Sequence, residues 1–165
     1  MWKIIAIVLT ISVLCCCNSS AQKNDSKKQN TQVQDTVNEY NRRHLKEYVR
    51  KNINKEYNSI SVLFENEIDK VLTIGQKIEE IDNKAYMNGY NWDVLFNYYL
   101  AKNYPDILVG LESDPEAGCY IASYKLNEEN EVRADKFIEI IKSLIENEEE
   151  LYRIVREEGN NIEWD

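Results

Sequence analysis

Asp114-Pro115-Glu116-Ala117-Gly118-Cys119-Tyr120-Ile121-Ala122-Ser123-Tyr124 reads as a turn opening a strand. Asp-Pro sets up the turn, Gly118 supplies its flexible corner, and the apolar run from Cys119 follows. About twenty residues upstream, Asn88-Gly89-Tyr90-Asn91-Trp92 reads as a turn opening a helix. Asn-Gly is a tight-turn dipeptide because glycine accepts φ > 0, Asn91 is a good N-cap, and Trp92 begins the buried stripe. Trp92, Leu95, Phe96, Tyr99 and Leu100 then fall at i, i+3, i+4, i+7 and i+8, one apolar face that ends near Asn103 because Pro105 disfavours helix at the residue before it. A helix delivering the chain through a turn into a strand points to an α+β domain.

Further helices and strands extend this pattern on both sides. Ala134, Phe137, Ile138, Ile141, Leu144 and Ile145 make another helical face. Asn147 restarts a helix as N-cap, with Glu148, Glu149 and Glu150 in the first turn, Arg153 and Arg156 later, and Gly159 as the stop. Upstream, Ile60, Val62 and Phe64 alternate to one side, as in a half-buried strand. Residues 70–74 have two readings. They return as a hairpin partner through Asn66 and Glu67, or they belong to a helix carrying Ile68, Val71, Ile74, Ile78 and Ile81 that Gly75 would weaken. The strand, followed by a short helical or irregular stretch, is the reading adopted. Val37, Tyr40, His44, Leu45, Tyr48, Val49, Ile53 and Tyr57 recur at steps of mostly three and four behind a Thr36/Glu39 capping box. That spacing predicts an amphipathic helix over 35–57 whose outer face carries Arg42, Arg43, Lys46, Arg50, Lys51 and Lys55. The fold expected is a small antiparallel sheet packed against three or four helices, a single α+β domain over 58–165.

The N-terminal third has a different composition. Lys3 precedes an apolar run over 4–14, too short to span a bilayer stably but suited to a signal-peptide core. Leu14-Cys15-Cys16-Cys17 follows and resembles the lipobox of bacterial lipoproteins, with the lipidated cysteine at Cys17, or at Cys16 with Val13 in place of Leu14. An ordinary cleaved signal or an uncleaved anchor is the alternative. Residues 18–34 contain no aromatic and almost no large apolar residue, so they cannot bury enough surface to offset their ordering entropy. The organisation expected is a lipoprotein signal peptide over 1–16, a lipidated cysteine and polar tether over 17–34, the basic helix, and then the folded domain. Such a protein is held to a bacterial membrane facing the periplasm or the exterior. With the signal removed only Cys17 and Cys119 remain, which leaves no intramolecular disulfide. At the start of an apolar strand, Cys119 is expected to be an inert thiol.

Charge divides the chain. The net −9 comprises +5 over 1–57 and −14 over 58–165. A domain at −14 repels a phosphate backbone, which argues against nucleic acid, and attracts a basic partner. Solubility alone also explains acidity. The basic segment either lies on anionic lipid or pairs with the acidic domain. Catalytic chemistry has little to stand on: there is one histidine, His44, five scattered glycines and no phosphate-binding loop. Glu112, Asp114 and Glu116 do not have EF-hand spacing. No cofactor, no metal and no catalytic residue is expected.

In their order and spacing, with the helix between them, the Asn88–Trp92 and Asp114–Gly118 signatures resemble the immunity protein 51 family over about residues 58–164. Its members are small α+β proteins encoded beside polymorphic toxins. The resemblance implies a non-catalytic protein that binds and blocks a cognate toxin domain by stoichiometric occlusion. Joined to the acidity, it implies a basic toxin. The partner surface expected is Glu112, Asp114 and Glu116 with Tyr90 from the other signature, since loops on a rigid scaffold are where recognition sits. Two readings from other classes are a structural or interaction lipoprotein of the cell envelope and a small hydrolase or carbohydrate-binding module.

Overall fold

A computed structural model describes residues 47–165. The expected signal peptide and tether, Cys16, Cys17, His44 and residues 35–46 of the expected helix lie outside the described residues. Four strands, β1 (Val49–Asn54), β2 (Ser59–Glu65), β3 (Glu112–Glu116) and β4 (Cys119–Lys125), form one antiparallel sheet in the order β1-β2-β4-β3. Four helices accompany it: α1 (Asp69–Ile81), α2 (Gly89–Asn103), α3 (Glu128–Glu146) and α4 (Glu148–Glu158). The α+β class and the small antiparallel sheet are as expected.

Alternation explains the sheet. Ile60, Val62 and Phe64 on β2 and Tyr120, Ala122 and Tyr124 on β4 are buried under the helices, and the residues between them stay partly exposed on the other face. The core is aromatic at its centre. Phe64 meets Trp92 and Phe96 with ring centroids 5.1 and 5.2 Å apart, and Phe96 meets Phe137 edge-on at 6.0 Å, the offset and T-shaped geometries that ring quadrupoles favour. Helix α3 covers β1 and β2, α2 covers β3 and β4, and α4 packs against both α1 and α3.

Two expected elements are corrected. Residues 49–57 are not helical: β1 pairs with β2 from Val49↔Phe64 to Asn54↔Ser59 through a turn over 55–58. Asn54 closes that turn by accepting the Glu56 and Tyr57 N–H groups on its side chain, and Asn58 sits at φ 50°, in the left-handed region that asparagine tolerates. Val49 and Ile53, four apart, share one face of a helix and equally one face of a strand, and Ser59–Glu65 is available to pair with that strand. The domain therefore begins ahead of Asn58. The basic residues of β1 point to the acidic remainder: Lys51 reaches Asp135 at 2.7 Å and Glu131 at 3.4 Å on α3, and Arg50 pairs with Glu65 across the strands.

Residues 70–74 are also not a strand, because the helical periodicity prevails. Val71, Ile74 and Ile78 are buried along α1, and Gly75 lies on the same face where a Cβ would stand 3.0 Å from that of Met87. Close packing against Met87 explains a glycine there better than helix breaking does.

The tightest constraint is at Gly89, the first residue of α2. A Cβ at that position would collide with the carbonyl oxygens of Glu116 and Cys119. We expect Gly89→Ala to destabilise the domain by about 3 kcal/mol, because backbone must move to admit the methyl group; chemical denaturation measures this, and a loss within experimental error would contradict the close approach.

Candidate functional site

The first residues of α2 and the β3–β4 hairpin tip form one structure. Gly89 N–H donates to the Ala117 carbonyl at 3.1 Å, and Asn66 on the loop after β2 donates to the same carbonyl from its side chain at 3.0 Å. Asn66 N–H donates to Gly118 O at 3.3 Å. The glycine does not supply a left-handed turn, since Gly110 is the one described glycine with positive φ. The N-cap is Asn88 rather than Asn91: Asn88 Oδ1 accepts from Asn91 N–H at 3.0 Å. Asn91 is buried within the first turn. Its amide donates to Tyr86 O at 2.8 Å and accepts from Asp165 N–H at 2.7 Å, fixing the loop before the helix and the chain end after it.

The second signature is corrected too. Asp114 and Pro115 do not make the turn; they lie within edge strand β3, and the turn is Ala117-Gly118. An edge strand accommodates proline because a missing N–H leaves no ladder bond unmade, and its charges discourage pairing with other chains. One helical turn beyond Gly89, Asp93 Oδ1 accepts from Ser113 Oγ at 2.9 Å and from Asn97 Nδ2 at 2.6 Å. Burial pushes the Asp93 carboxyl above its usual range, while these two bonds hold it down. Helix α2 thus grips β3 at two points, through the Gly89 backbone and the Asp93 side chain.

That grip turns Ser113 and Pro115 toward α2 and leaves Glu112, Asp114 and Glu116 exposed on the opposite face. Tyr90, 38% exposed, adjoins the residue bonded to Ala117. The structure therefore joins Tyr90 to the tip beside Glu116, whereas Glu112 lies at the far end of β3, about 13 Å away along an extended strand. Asp93 and Ser113, which help to hold the site together, were not singled out in the sequence, and Asn66 was read only as a turn residue; a polar residue one turn into an otherwise apolar helix face was the available signal for Asp93.

Cys119 sits opposite Glu116 in the hairpin register. Burial first, and then the carboxylates of Glu116, Glu65, Asp114 and Glu67, raise its thiol above the ordinary value. Among the described residues no group of three or more His, Cys, Asp or Glu is placed to hold a metal ion, and no helix is long and apolar enough to cross a membrane. The site is an acidic surface on a rigid support. We expect Cys119 to alkylate more slowly than a free cysteine at pH 7 and to gain reactivity only as the pH rises; mass spectrometry of its peptide measures this, and rapid labelling at neutral pH would contradict it.

None of the curated proteins or solved structures compared with the chain matches it. A family model described as immunity protein 51 matches residues 50–160, from β1 through the end of α4 and across both signatures. The match covers most of the chain and includes the strand that the resemblance had left out, and the chain belongs to the immunity protein 51 family.

Proposed function

We propose that this chain is an immunity protein that binds a cognate toxin domain and blocks it by stoichiometric occlusion, without catalysis. The observation that carries this reading is the braced acidic hairpin: Asp114 and Glu116 are exposed on a strand that α2 fixes at two points. A preorganised surface loses little entropy on binding. Residues 47–165 contain thirteen Lys/Arg and twenty-six Asp/Glu, and Lys51 and Arg50 are already engaged with carboxylates. The outward field is negative, so the toxin domain is basic and its encounter is electrostatically steered.

The anchor belongs to the same proposal. Leu14 stands three residues before Cys17, and a polar stretch follows, as in a lipoprotein precursor. Several acyl chains on one cysteine anchor stably where one would be marginal. The protein is then held in the cell envelope, facing the periplasm or the exterior, and its toxin acts on envelope components or is intercepted during entry.

Co-expression with the neighbouring gene product, pull-down and binding kinetics test the toxin reading. Charge reversal at Asp114 and Glu116 together is expected to lower the association rate by roughly tenfold at low salt, to change dissociation less, and to leave the fold intact. Wild-type kinetics in that variant would place the interface elsewhere, and a neighbour that does not bind the native protein would remove the toxin reading. The anchor is tested by mass spectrometry of the N-terminal peptide, expected to be acylated at Cys17; an intact Met1 or an unmodified N-terminus beyond Cys17 would contradict it.

A further inference from the structure

Beside the hairpin tip, between α1, the loop before α2 and the loop after β2, lies an open cavity of about 300 Å³. Its chemistry is one-sided. Glu67 and Glu79 contribute carboxylates, Tyr86 an exposed ring and Leu72 an exposed aliphatic wall, and no Lys or Arg lines it among the described residues. Asn66 belongs to the lining and is only 3% exposed. Its amide orientation is fixed because Nδ2 donates to Ala117 O, and that leaves Oδ1 buried with no hydrogen-bond partner among the described residues. A buried acceptor without a donor is costly and rare in a folded domain. Glu79 uses Oε1 to accept from Met87 N–H at 3.0 Å and keeps its second oxygen.

Resting on the reading of this protein as an inhibitor of a basic toxin, we propose that this cavity is the socket for an arginine side chain of the toxin, and so the anchor point of the interface. A guanidinium brings five donors and no acceptor, the complement of the two carboxylates on the cavity wall. Its plane stacks on an aromatic face such as Tyr86, and its methylene stem packs on an aliphatic wall such as Leu72. Arginine in a pocket with an aromatic neighbour is a recurrent centre of interface energy. The cavity suits one long side chain, being at the bottom of the roughly 300 to 1,000 Å³ range of small-ligand sites. Asn88 and Ala117 line it as well, so it is continuous with the braced tip and with Glu116 beyond.

The socket is tested without the toxin by titrating the ¹⁵N-labelled full chain with N-acetyl-arginine amide and following its amide resonances. Saturable shifts are expected at Gly75, Met87 and the Asn66 side-chain amide. They should weaken at least fivefold in Glu67→Gln and in Tyr86→Ala, whose remaining spectra report an intact fold, and should be absent with the uncharged N-acetyl-citrulline amide. No saturable shift at these residues, equal shifts with the citrulline probe, or wild-type affinity in both variants would overturn the proposal. Shifts that emerge only after Arg42 and Arg43 are changed to Gln would assign the socket to the chain's own basic segment and also overturn it. A neighbouring toxin that binds wild type and Tyr86→Ala equally would remove the socket and leave the toxin reading standing. A neighbour that binds neither would remove the toxin reading, and the arginine-amide titration would still decide whether the cavity recognises a guanidinium.

Discussion

The contact between Gly89 and the carbonyls of Glu116 and Cys119 is the constraint around which this domain is arranged. Two backbones approach so closely that no side chain fits, and the approach is secured by Gly89 N–H and the Asn66 amide converging on Ala117 O. Because β3 is an edge strand paired only with β4, its outer side has no ladder to hold it. Helix α2 takes that role, gripping the strand at the tip through its backbone and one turn later through Asp93 and Ser113. The helix is itself fixed by Trp92 and Phe96 in the aromatic core. A continuous path thus runs from the most buried residues to an exposed acidic strand.

Electrostatics explains how a strongly acidic domain keeps its shape while presenting its charge. The basic residues of β1 are used internally, Lys51 joining the first strand to α3 and Arg50 bridging to β2. Lys70 and Lys102 pair with Glu146 and Glu158 around the helices. Such partly exposed pairs contribute little stability individually, but they neutralise part of the acidic surface. Asp114, Glu116 and Glu67 have no ion-pair partner among the described residues. The hairpin end of the sheet, where the two family signatures meet, is therefore one of the places where the domain's negative charge is left uncompensated.

Much of this was legible in sequence where one periodicity had no rival. The stripe from Trp92 to Leu100, the alternation in β2 and the restart at Asn147 each specify one element. The failures came where two periods fitted the same residues. Val49 and Ile53 satisfy both helical spacing and a strand, and hairpin pairing with β2, from Val49↔Phe64 to Asn54↔Ser59, decided between them. Residues 70–74 went the other way because Gly75, locally a helix breaker, is a packing residue against Met87. The helix start in the first signature and the turn into a strand in the second were legible, yet the chemistry was misassigned within each: Gly89 is the first helical residue and not a left-handed turn, Asn88 caps instead of Asn91, and Ala117-Gly118 turns instead of Asp114-Pro115. Local turn propensity carries no information about a backbone arriving from another element, and that arrival explains both Gly89 and Asn66.

The most direct measurement is hydrogen exchange of the full chain alone and in complex with the toxin domain it is proposed to bind. Protection on binding is predicted in the peptides covering 66–67, 86–90 and 112–118, the braced hairpin with its adjoining loops, with the helical surface formed by 98–104 and 150–158 unchanged. Protection confined to that helical surface, with the hairpin exchanging as it does in the free protein, would contradict the assignment of the acidic tip as the inhibitory face.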